Sequence, residues 1–315
     1  MERANSRVGR INARWKRFLW IVLVGVLVCR MGAAQELEPR AYRTLPTGLN
    51  FFALIGSYSE GNVLTDAASP LQDVELKSTT AILSYLRSFG LAGRSASVTV
   101  AMPYLHMSGS GTLSGQFVSN SRSGASFLRA RVAVNVLGGP ALAPAEFAKY
   151  KQGRNLGVSL TVATPTGQYD SSRVISFGAN RWAFKPEVGY SSIKGHWILE
   201  VAAGVWFFTT NDDFFGGSSQ DQNPISSIQG HLSYNFENRV WLGLDANYYS
   251  GGRTTINGVD QFDLQRNSRV GGTLSVPLTR RQSLKMAAHT GAFTEIGADF
   301  DVVTVAYQLF WGGGR

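Results

Sequence analysis

Ionisable residues recur in this 315-residue sequence at alternate positions of segments whose other positions are apolar. If they line one interior, their charges could form a constriction that selects what passes. They could instead form a structural network of paired charges, because an unpaired buried charge is costly. Lys185 could then face Glu187 or Glu200, and Asp245 could face Arg269. The full set of candidates is Arg129, Arg131, Lys185, Glu187, Glu200, His231, Asp245, Arg269, Lys285 and His289.

Residues suited to catalysis or cofactor binding form no recognisable pattern. The four histidines, His106, His196, His231 and His289, fall on different predicted strands and have neither metal-ligand nor triad spacing. Glycine clusters near residues 216 and 251 are typical of turns and do not form a phosphate-binding loop. We therefore predict a protein that is not an enzyme and has no catalytic residues, metal site or cofactor.

The segments that carry the candidates have the periodicity of β-strands. In Ile225–Tyr249, apolar or glycine residues occupy every second position on both sides of the polar turn 237–239. Successive side chains of a strand point to opposite faces, so this stretch predicts a hairpin with one apolar and one polar face. Twelve segments qualify as strands, of which the first two are weak: 51–59, 82–89, 95–107, 128–136, 156–163, 184–190, 196–207, 228–236, 240–248, 269–276, 283–289 and 303–311.

Short and long connections alternate along most of the chain, as in outer-membrane barrels. The long ones are 61–77, 108–125, 166–181, 211–224 and 250–267, and the short ones are 90–94, 194–195, 237–239 and 279–282. Two connections break the rule: a long link at 138–154, with a helical turn near Pro144–Tyr150, and a short outer one at 297–300.

The fold class predicted from these patterns is all-β, a transmembrane antiparallel up-and-down β-barrel of about twelve strands. A soluble sandwich is disfavoured, because its strands would not need so many polar faces. Strands of about 9–11 residues suffice to cross the hydrocarbon layer. Aromatic residues near strand ends, such as Tyr104, Trp197 and Trp311, fit interfacial girdles. Twelve strands predict a narrow or partly plugged passage, between the filled eight-stranded and the open sixteen-stranded barrels.

The first 34 residues have the composition of a cleaved signal peptide. Met1–Arg17 carries six basic residues, Phe18–Cys29 is apolar, and Gly32 and Ala34 form a small-x-small cleavage site. The alternative is an N-terminal membrane anchor, although twelve apolar residues are too few to span a bilayer. Cleavage would leave 281 residues without cysteine and reduce the net charge from +9 to +3, which removes the main argument for a nucleic-acid partner. We therefore predict an exported barrel domain, residues 35–315, in a Gram-negative outer membrane.

The predicted outer connections contain further binding candidates. Asp212 and Asp213, near Asp221, could bind Ca²⁺ or bridge to lipopolysaccharide through divalent ions, or they could simply be solvated. Phe214 and Phe215 could contact an apolar solute if they are exposed, or pack the loop back into the barrel mouth. The remaining candidate, Arg253, could orient an anionic group or form a loop salt bridge.

Several stretches are similar to one family of outer-membrane proteins. They are RAYRTLPTGLNFF (40–52), SYLRSFGLAGRSASV (84–98), NRWAFKPEVGYS (180–191), AGVWFFTTNDDFFGG (203–217), YYSGGRTTINGV (248–259) and RRQSLKM (280–286). In this order they resemble the family named for the meta-pathway of phenol degradation, over nearly all of the mature chain. The resemblance implies an outer-membrane transporter-like barrel for hydrophobic or aromatic compounds, and no catalytic residues. The C-terminus departs from the usual barrel-assembly signal, since residues 312–315 follow Trp311.

The function predicted from the sequence is a channel that passes small organic solutes, including aromatic or hydrophobic ones, by passive diffusion through a polar lumen. The expected partners are outer-membrane lipids, lipopolysaccharide, the solute and the barrel-assembly machinery. The alternative is a structural or surface-interaction barrel whose lumen is closed. Charge reversal at Arg129 and Arg131 would distinguish the two, because only a channel would change its ion selectivity.

Overall fold

The computed structural model describes residues 37–64, 71–113, 115–172 and 176–313. The predicted signal peptide, residues 1–34, lies outside the described residues. Within that description, no helix is long and apolar enough to cross a membrane. The elements are β1 (Leu49–Leu64), β2 (Leu71–Leu91), β3 (Arg94–Leu113), β4 (Gln116–Ala125), β5 (Arg129–Leu137), α1 (Pro144–Phe147), β6 (Arg154–Ala163), β7 (Ala183–Lys194), β8 (Trp197–Phe208), β9 (Asn211–Phe214), β10 (Ser218–Gln222), β11 (Ile225–Asn235), β12 (Trp241–Gly251), β13 (Thr254–Ile256), β14 (Val259–Asp260), β15 (Gln265–Pro277), β16 (Gln282–Thr294) and β17 (Gly297–Gly312).

The strands close into an antiparallel barrel. β1 pairs with β2 and β17, and β2 pairs with β3 to complete the ring. β4 pairs with Tyr104–Leu113 of β3 and β5 pairs with Ala96–Ala101, so β4 and β5 form one interrupted wall strand. β9, β10, β13 and β14 form a separate four-stranded sheet. The wall thus has twelve strands, and the predicted fold class is confirmed.

The two faces of the wall follow the predicted alternation. Apolar residues point outward and are exposed, for example Val188 (50%) and Leu244 (66%). Their neighbours in the sequence point into the lumen and are buried, for example Glu187 (7%) and Asp245 (3%). A protein in water would bury the apolar face instead, so the reversed pattern fits a barrel surrounded by lipid.

The connections fall at two ends of the barrel, as predicted. The tight turns between β2 and β3, β7 and β8, β11 and β12, and β15 and β16 share one end, which we call periplasmic by the usual convention. The long link between β5 and β6 lies at this end and contains α1, which begins at Pro144 as predicted. The opposite end, which we call outer, carries the longer connections.

Three of the predicted outer connections are wrong in extent. Much of 61–77 and 108–125 continues the ladders of β1, β2, β3 and β4, and 297–300 belongs to β17. Beyond the bilayer the outward face of a strand meets water, while residues such as Val63, Val74 and Leu76 are buried on the inward face. The apolar-outward alternation that marks a membrane strand is therefore lost while the backbone pairing continues. The connections 211–224 and 250–267 contain the strands of the separate sheet.

Candidate functional site

An N-terminal segment, residues 37–48, lies inside the barrel at its periplasmic end. The Tyr42 hydroxyl donates to Glu187 Oε1 at 2.8 Å, and the Arg40 guanidinium donates to Asn235 Oδ1 at 2.7 Å. The Arg40 amide also donates to the Glu200 carboxylate. These partners point into the lumen from β7, β8 and β11. The segment therefore narrows the passage, which the sequence-based interpretation anticipated only as partial plugging.

Two glycines make room for the Tyr42 ring. Gly157 and Gly189 are paired across β6 and β7 on the lumen face. A Cβ atom on Gly189 would lie 2.1 Å from the Tyr42 ring, and one on Gly157 would lie 2.6 Å from it. Burial and the adjacent Glu187 carboxylate raise the pKa of the Tyr42 hydroxyl, which therefore stays neutral and can donate. In the sequence, Gly157 and Gly189 both fall on predicted inward faces. Their missing side chains were the one feature that could have indicated that another part of the chain packs there.

Glu187 is the centre of one network of lumen charges. Lys185 Nζ lies 2.6 Å from Glu187 Oε2, and the Arg131 guanidinium lies 3.8 Å from Glu187 Oε1. Gln229 Nε2 also donates to Glu187 Oε2 at 3.3 Å. Of the two carboxylates proposed to face Lys185, the structure thus places Glu187 against it. The other, Glu200, binds the N-terminal segment.

Asp245 is the centre of a second network. Its carboxylate lies 2.7 Å from His231 Nδ1 and 3.4 Å from His289 Nε2, and it accepts a bond from the Thr273 hydroxyl at 2.6 Å. Pairing of the successive wall strands β11, β12, β15 and β16 thus brings together two histidines that the sequence separates. The predicted pairing with Arg269 is wrong, because Asp245 lies opposite Gly271 on β15. Arg269 lies farther toward the outer end and donates to the Phe300 carbonyl.

A cavity of about 350 Å³ remains in the lumen beside these networks. Two separate parts of its wall are cationic or ionisable, formed by five of the sequence candidates: Arg129 and Arg131 on β5, and Arg269, Lys285 and His289 on β15 and β16. Another part is apolar, formed by Ile55, Ile82, Ala101, Pro103 and Val302. Glu38 of the N-terminal segment also contacts the cavity. The predicted lumen candidates therefore divide between paired networks and the wall of an amphipathic cavity.

Buried apolar side chains fill the lumen near its outer end, and we call them the outer apolar layer. One cluster consists of Val63, Val74, Leu76, Met107, Phe177 and Phe300. The other consists of Ala163, Ala183, Trp206, Ile225 and Tyr249. The lumen is therefore polar only over part of its length, in contrast to the predicted polar lumen. Most of these residues lie near strand ends. The sequence analysis assigned such positions to interfacial aromatic girdles or to loops, and did not predict an apolar layer inside the barrel.

The candidates in the outer connections are separate from the cavity. Phe214 and Phe215 are buried with Ile256, at 3% and 9% exposure, so the hypothesis of an exposed apolar pair is wrong and the loop-packing alternative describes them. Asp212, Asp213 and Arg253 are exposed. Within the part of the chain that the structure describes, no group of three or more His, Cys, Asp or Glu side chains is arranged to hold a metal ion.

Comparison with solved structures shows the same architecture. The chain is similar to the COG4313 outer membrane channel from Pseudomonas putida F1, with a TM-score of 0.71 and 20% identity over 88% of this chain and 100% of that one. A lower similarity relates it to the transport unit of the autotransporter AIDA-I from Escherichia coli, with a TM-score of 0.49 and 9% identity over 94% of this chain and 98% of that one. At these identities the likeness concerns the fold alone.

Sequence comparison identifies the family. No curated protein matches the chain. The family model described as "Putative MetA-pathway of phenol degradation" matches residues 57–295, which cover most of the barrel. This agrees with the family resemblance found in the sequence stretches. The chain belongs to the phenol-degradation MetA-pathway family.

Proposed function

We propose that this protein is an outer-membrane channel that passes small organic solutes, including aromatic acids, by passive diffusion through the barrel lumen. The observation that carries the proposal is the lumen cavity, whose apolar strands lie between two groups of cationic side chains. Such a cavity can hold the carboxylate of an organic anion beside Arg129, Arg131 or Lys285 and its ring against the apolar strands that lie between these cations. Its volume of about 350 Å³ suits a small ligand, because binding cavities start at roughly 300 Å³.

Several features of the chain support this proposal indirectly. The barrel fold, shared with an outer membrane channel, provides a route from one side of a membrane to the other. We propose that residues 1–34 direct export and are then removed, which would place the barrel in the outer membrane. In this proposal the networks around Glu187 and Asp245 maintain the shape of the lumen, while the cationic side chains that line the cavity contact the solute.

A second candidate function is a structural or surface-interaction barrel with a closed lumen. The N-terminal segment and the outer apolar layer favour it, because they fill the two ends of the barrel. The two functions differ in whether either end can open. Ion conductance measures this difference directly.

The test is single-channel recording of the refolded mature protein in planar bilayers, with and without benzoate. We expect discrete conductance steps that benzoate blocks. Arg129→Glu combined with Arg131→Glu should lower the anion-to-cation permeability ratio several-fold and weaken the block, because it reverses charge on the cavity wall. Arg280→Glu combined with Arg281→Glu is the matched control, because it makes the same charge change at an exposed periplasmic turn. A correctly folded barrel that conducts under no condition would favour the closed alternative.

A further inference from the structure

The cationic side chains of the lumen cavity come from two places on the wall, and we call them the two cationic groups. Arg129 and Arg131 of β5 form one group, and Arg269 and Lys285 of β15 and β16 form the other. Around the twelve-stranded ring, β16 lies five strand-to-strand steps from β5, by way of β3, β2, β1 and β17. Six steps would be diametrically opposite. The two cationic groups therefore face each other across the lumen.

The wall between the two cationic groups is uncharged. Its four strands contribute only apolar or hydroxyl-bearing residues to the described lining of the cavity, including Ile55 of β1, Ile82 of β2 and Val302 of β17. An aromatic ring can pack against such a surface because both bury apolar area. A molecule that lies along this wall thus meets cations only at its two ends.

Lys285 is the cation of its group that is open to a ligand. Among the residues that the structure describes, its ammonium group forms no hydrogen bond and no salt bridge. Arg269, by contrast, donates to the Phe300 carbonyl. A lysine ammonium is a compact charge with three donors, so it can bind a carboxylate in several orientations. We therefore expect a carboxylate on this side of the cavity to bind Lys285.

Arg131 has an unused donor on the other side of the cavity. Its Nη2 atom lies 3.8 Å from Glu187 Oε1 and, within the described part of the chain, is buried without a hydrogen bond. Glu187 is closer to Lys185, at 2.6 Å, so the two cations share one carboxylate. A buried donor without a partner is costly. A ligand carboxylate in the cavity would satisfy it.

One carboxylate of the protein already lies between the two cationic groups. Glu38 of the N-terminal segment lines the cavity and interacts electrostatically with both Arg131 and Lys285. Its position shows that the cavity stabilises a carboxylate. A single negative charge cannot neutralise two cations on opposite sides, whereas a ligand with a carboxylate at each end can.

We propose that the lumen cavity selects aromatic dicarboxylates whose carboxylates lie at opposite ends of the ring, such as benzene-1,4-dicarboxylate. One carboxylate binds Lys285, the other binds Arg131, and the ring packs on the uncharged wall between them. The ligand competes with Glu38 for the same two cations. Charge-assisted hydrogen bonds are the strong ones, so the second carboxylate adds affinity that benzoate lacks. This inference rests on the proposed function and narrows its class of solute.

The test is isothermal titration calorimetry of the refolded mature protein in detergent micelles, which measures binding independently of conduction. The ligands are benzoate and the 1,2- and 1,4-isomers of benzenedicarboxylate. We expect the 1,4-isomer to bind at least tenfold more tightly than benzoate. It should also bind at least tenfold more tightly than the 1,2-isomer, which has the same charge and ring but cannot reach both cationic groups. The 1,2-isomer is therefore the control for charge alone.

Lys285→Met removes the cation on one side and should reduce the preference for the 1,4-isomer over benzoate to less than twofold. Arg131→Met should have the same effect from the other side, which provides an independent variant. Lys194→Met is the matched control, because it makes the same chemical change at the exposed periplasmic end of β7. Its ligand preference should equal that of the unmodified protein.

Glu38→Gln removes the competing carboxylate and should increase the affinity for the 1,4-isomer several-fold. Glu237→Gln, in an exposed periplasmic turn, is the control for this change and should leave the affinity unaltered. An unchanged affinity in Glu38→Gln would contradict the competition between Glu38 and the ligand.

Equal affinities for benzoate and the 1,4-isomer, or for the two isomers, would overturn the proposed selectivity. Absence of measurable binding of the 1,4-isomer to the folded barrel would overturn it as well. A barrel that prefers the 1,4-isomer but does not conduct would retain this site and contradict the proposed diffusion channel. A conducting barrel that benzoate blocks without any preference for the 1,4-isomer would retain the channel and contradict this inference.

Discussion

Asp245 binds side chains from three other strands at one carboxylate. His231 belongs to β11, Thr273 to β15 and His289 to β16, while Asp245 itself belongs to β12. Asp245 is 3% exposed, and its carboxylate lies inside the barrel. A buried acceptor that binds three donors contributes more to the free energy of unfolding than one that binds a single donor, because its removal leaves all three donors unsatisfied.

We predict that Asp245→Ala lowers the free energy of unfolding by about 3 kcal/mol, because removing one partner of a buried ionic group leaves the others uncompensated. Asp301→Ala, at an exposed outward position, should change it by less than about 0.5 kcal/mol. Guanidinium unfolding of the protein in phospholipid vesicles, followed by tryptophan fluorescence, measures both values. Equal effects of the two substitutions would show that the Asp245 network does not stabilise the barrel.

The residues of the lumen could be predicted from the sequence more readily than their partners. Strict alternation placed Glu187, Glu200 and Asp245 on the inward face, and all three are buried there. Periodicity does not specify the register between successive hairpins, on which the contacts of Asp245 with Thr273 and His289 depend. The same limitation applies to Tyr42 and Arg40, because an irregular segment has no period that indicates what it contacts.

The N-terminal segment is an element without secondary structure whose position depends on side-chain contacts. Its far end is anchored by backbone bonds from Thr47 to Leu142 and from Gly48 to Ser88. Farther inside, Arg40 packs 3.8 Å from the centroid of the Trp241 ring, and Tyr42 binds Glu187. These two side chains together contribute only a few kcal/mol. We therefore expect that loss of these contacts would release this part of the segment while the barrel remains folded.

We predict that Arg40→Ala combined with Tyr42→Ala increases single-channel conductance several-fold, because it releases the segment that narrows the periplasmic end. Lys149→Ala combined with Tyr150→Ala removes the same residue classes from the periplasmic link outside the lumen and should leave conductance unchanged. Limited proteolysis provides an independent measurement, since the released segment should be cleaved faster. Unchanged conductance together with faster cleavage would locate the narrowest point elsewhere, such as at the outer apolar layer.

The membrane-spanning parts of the strands could be predicted, because lipid requires apolar residues at alternate positions. The parts that extend beyond the bilayer lack this pattern and could not be predicted. β7, β8, β11 and β12 match their predicted segments closely, because lipid requires an apolar residue at every second position. β2 and β3 instead extend to 21 and 20 residues, well past their predicted segments 82–89 and 95–107. The outer portion of β3 is rich in Ser, Gly and Thr, which is also the composition of loops, and the outer portion of β2 carries the acidic and basic residues Asp73, Glu75 and Lys77.

The whole molecule places its apolar surface outside and much of its charge inside. This arrangement explains why the molecule can have buried Lys185 and Glu187 beside exposed Val188 on one strand. The band of outward-facing apolar residues, which we call the lipid-facing belt, also shows where the bilayer ends. Tyr58 and Val303 are paired near the outer limit of the belt, whereas Glu60 and Asp301, the next outward pair, are charged.

We predict that the cost of an outward-facing charge depends on its height in the belt. Leu244→Arg, at an outward residue with 66% exposure near the middle of β12, should lower the free energy of unfolding in vesicles by about 2–4 kcal/mol. Asn62→Arg, on the outer extension of β1 above Glu60, should cost no more than about 1 kcal/mol. Guanidinium titration of both variants in the same vesicles measures the difference. Equal costs would mean that Leu244 does not face hydrocarbon, which would contradict the assigned position of the bilayer.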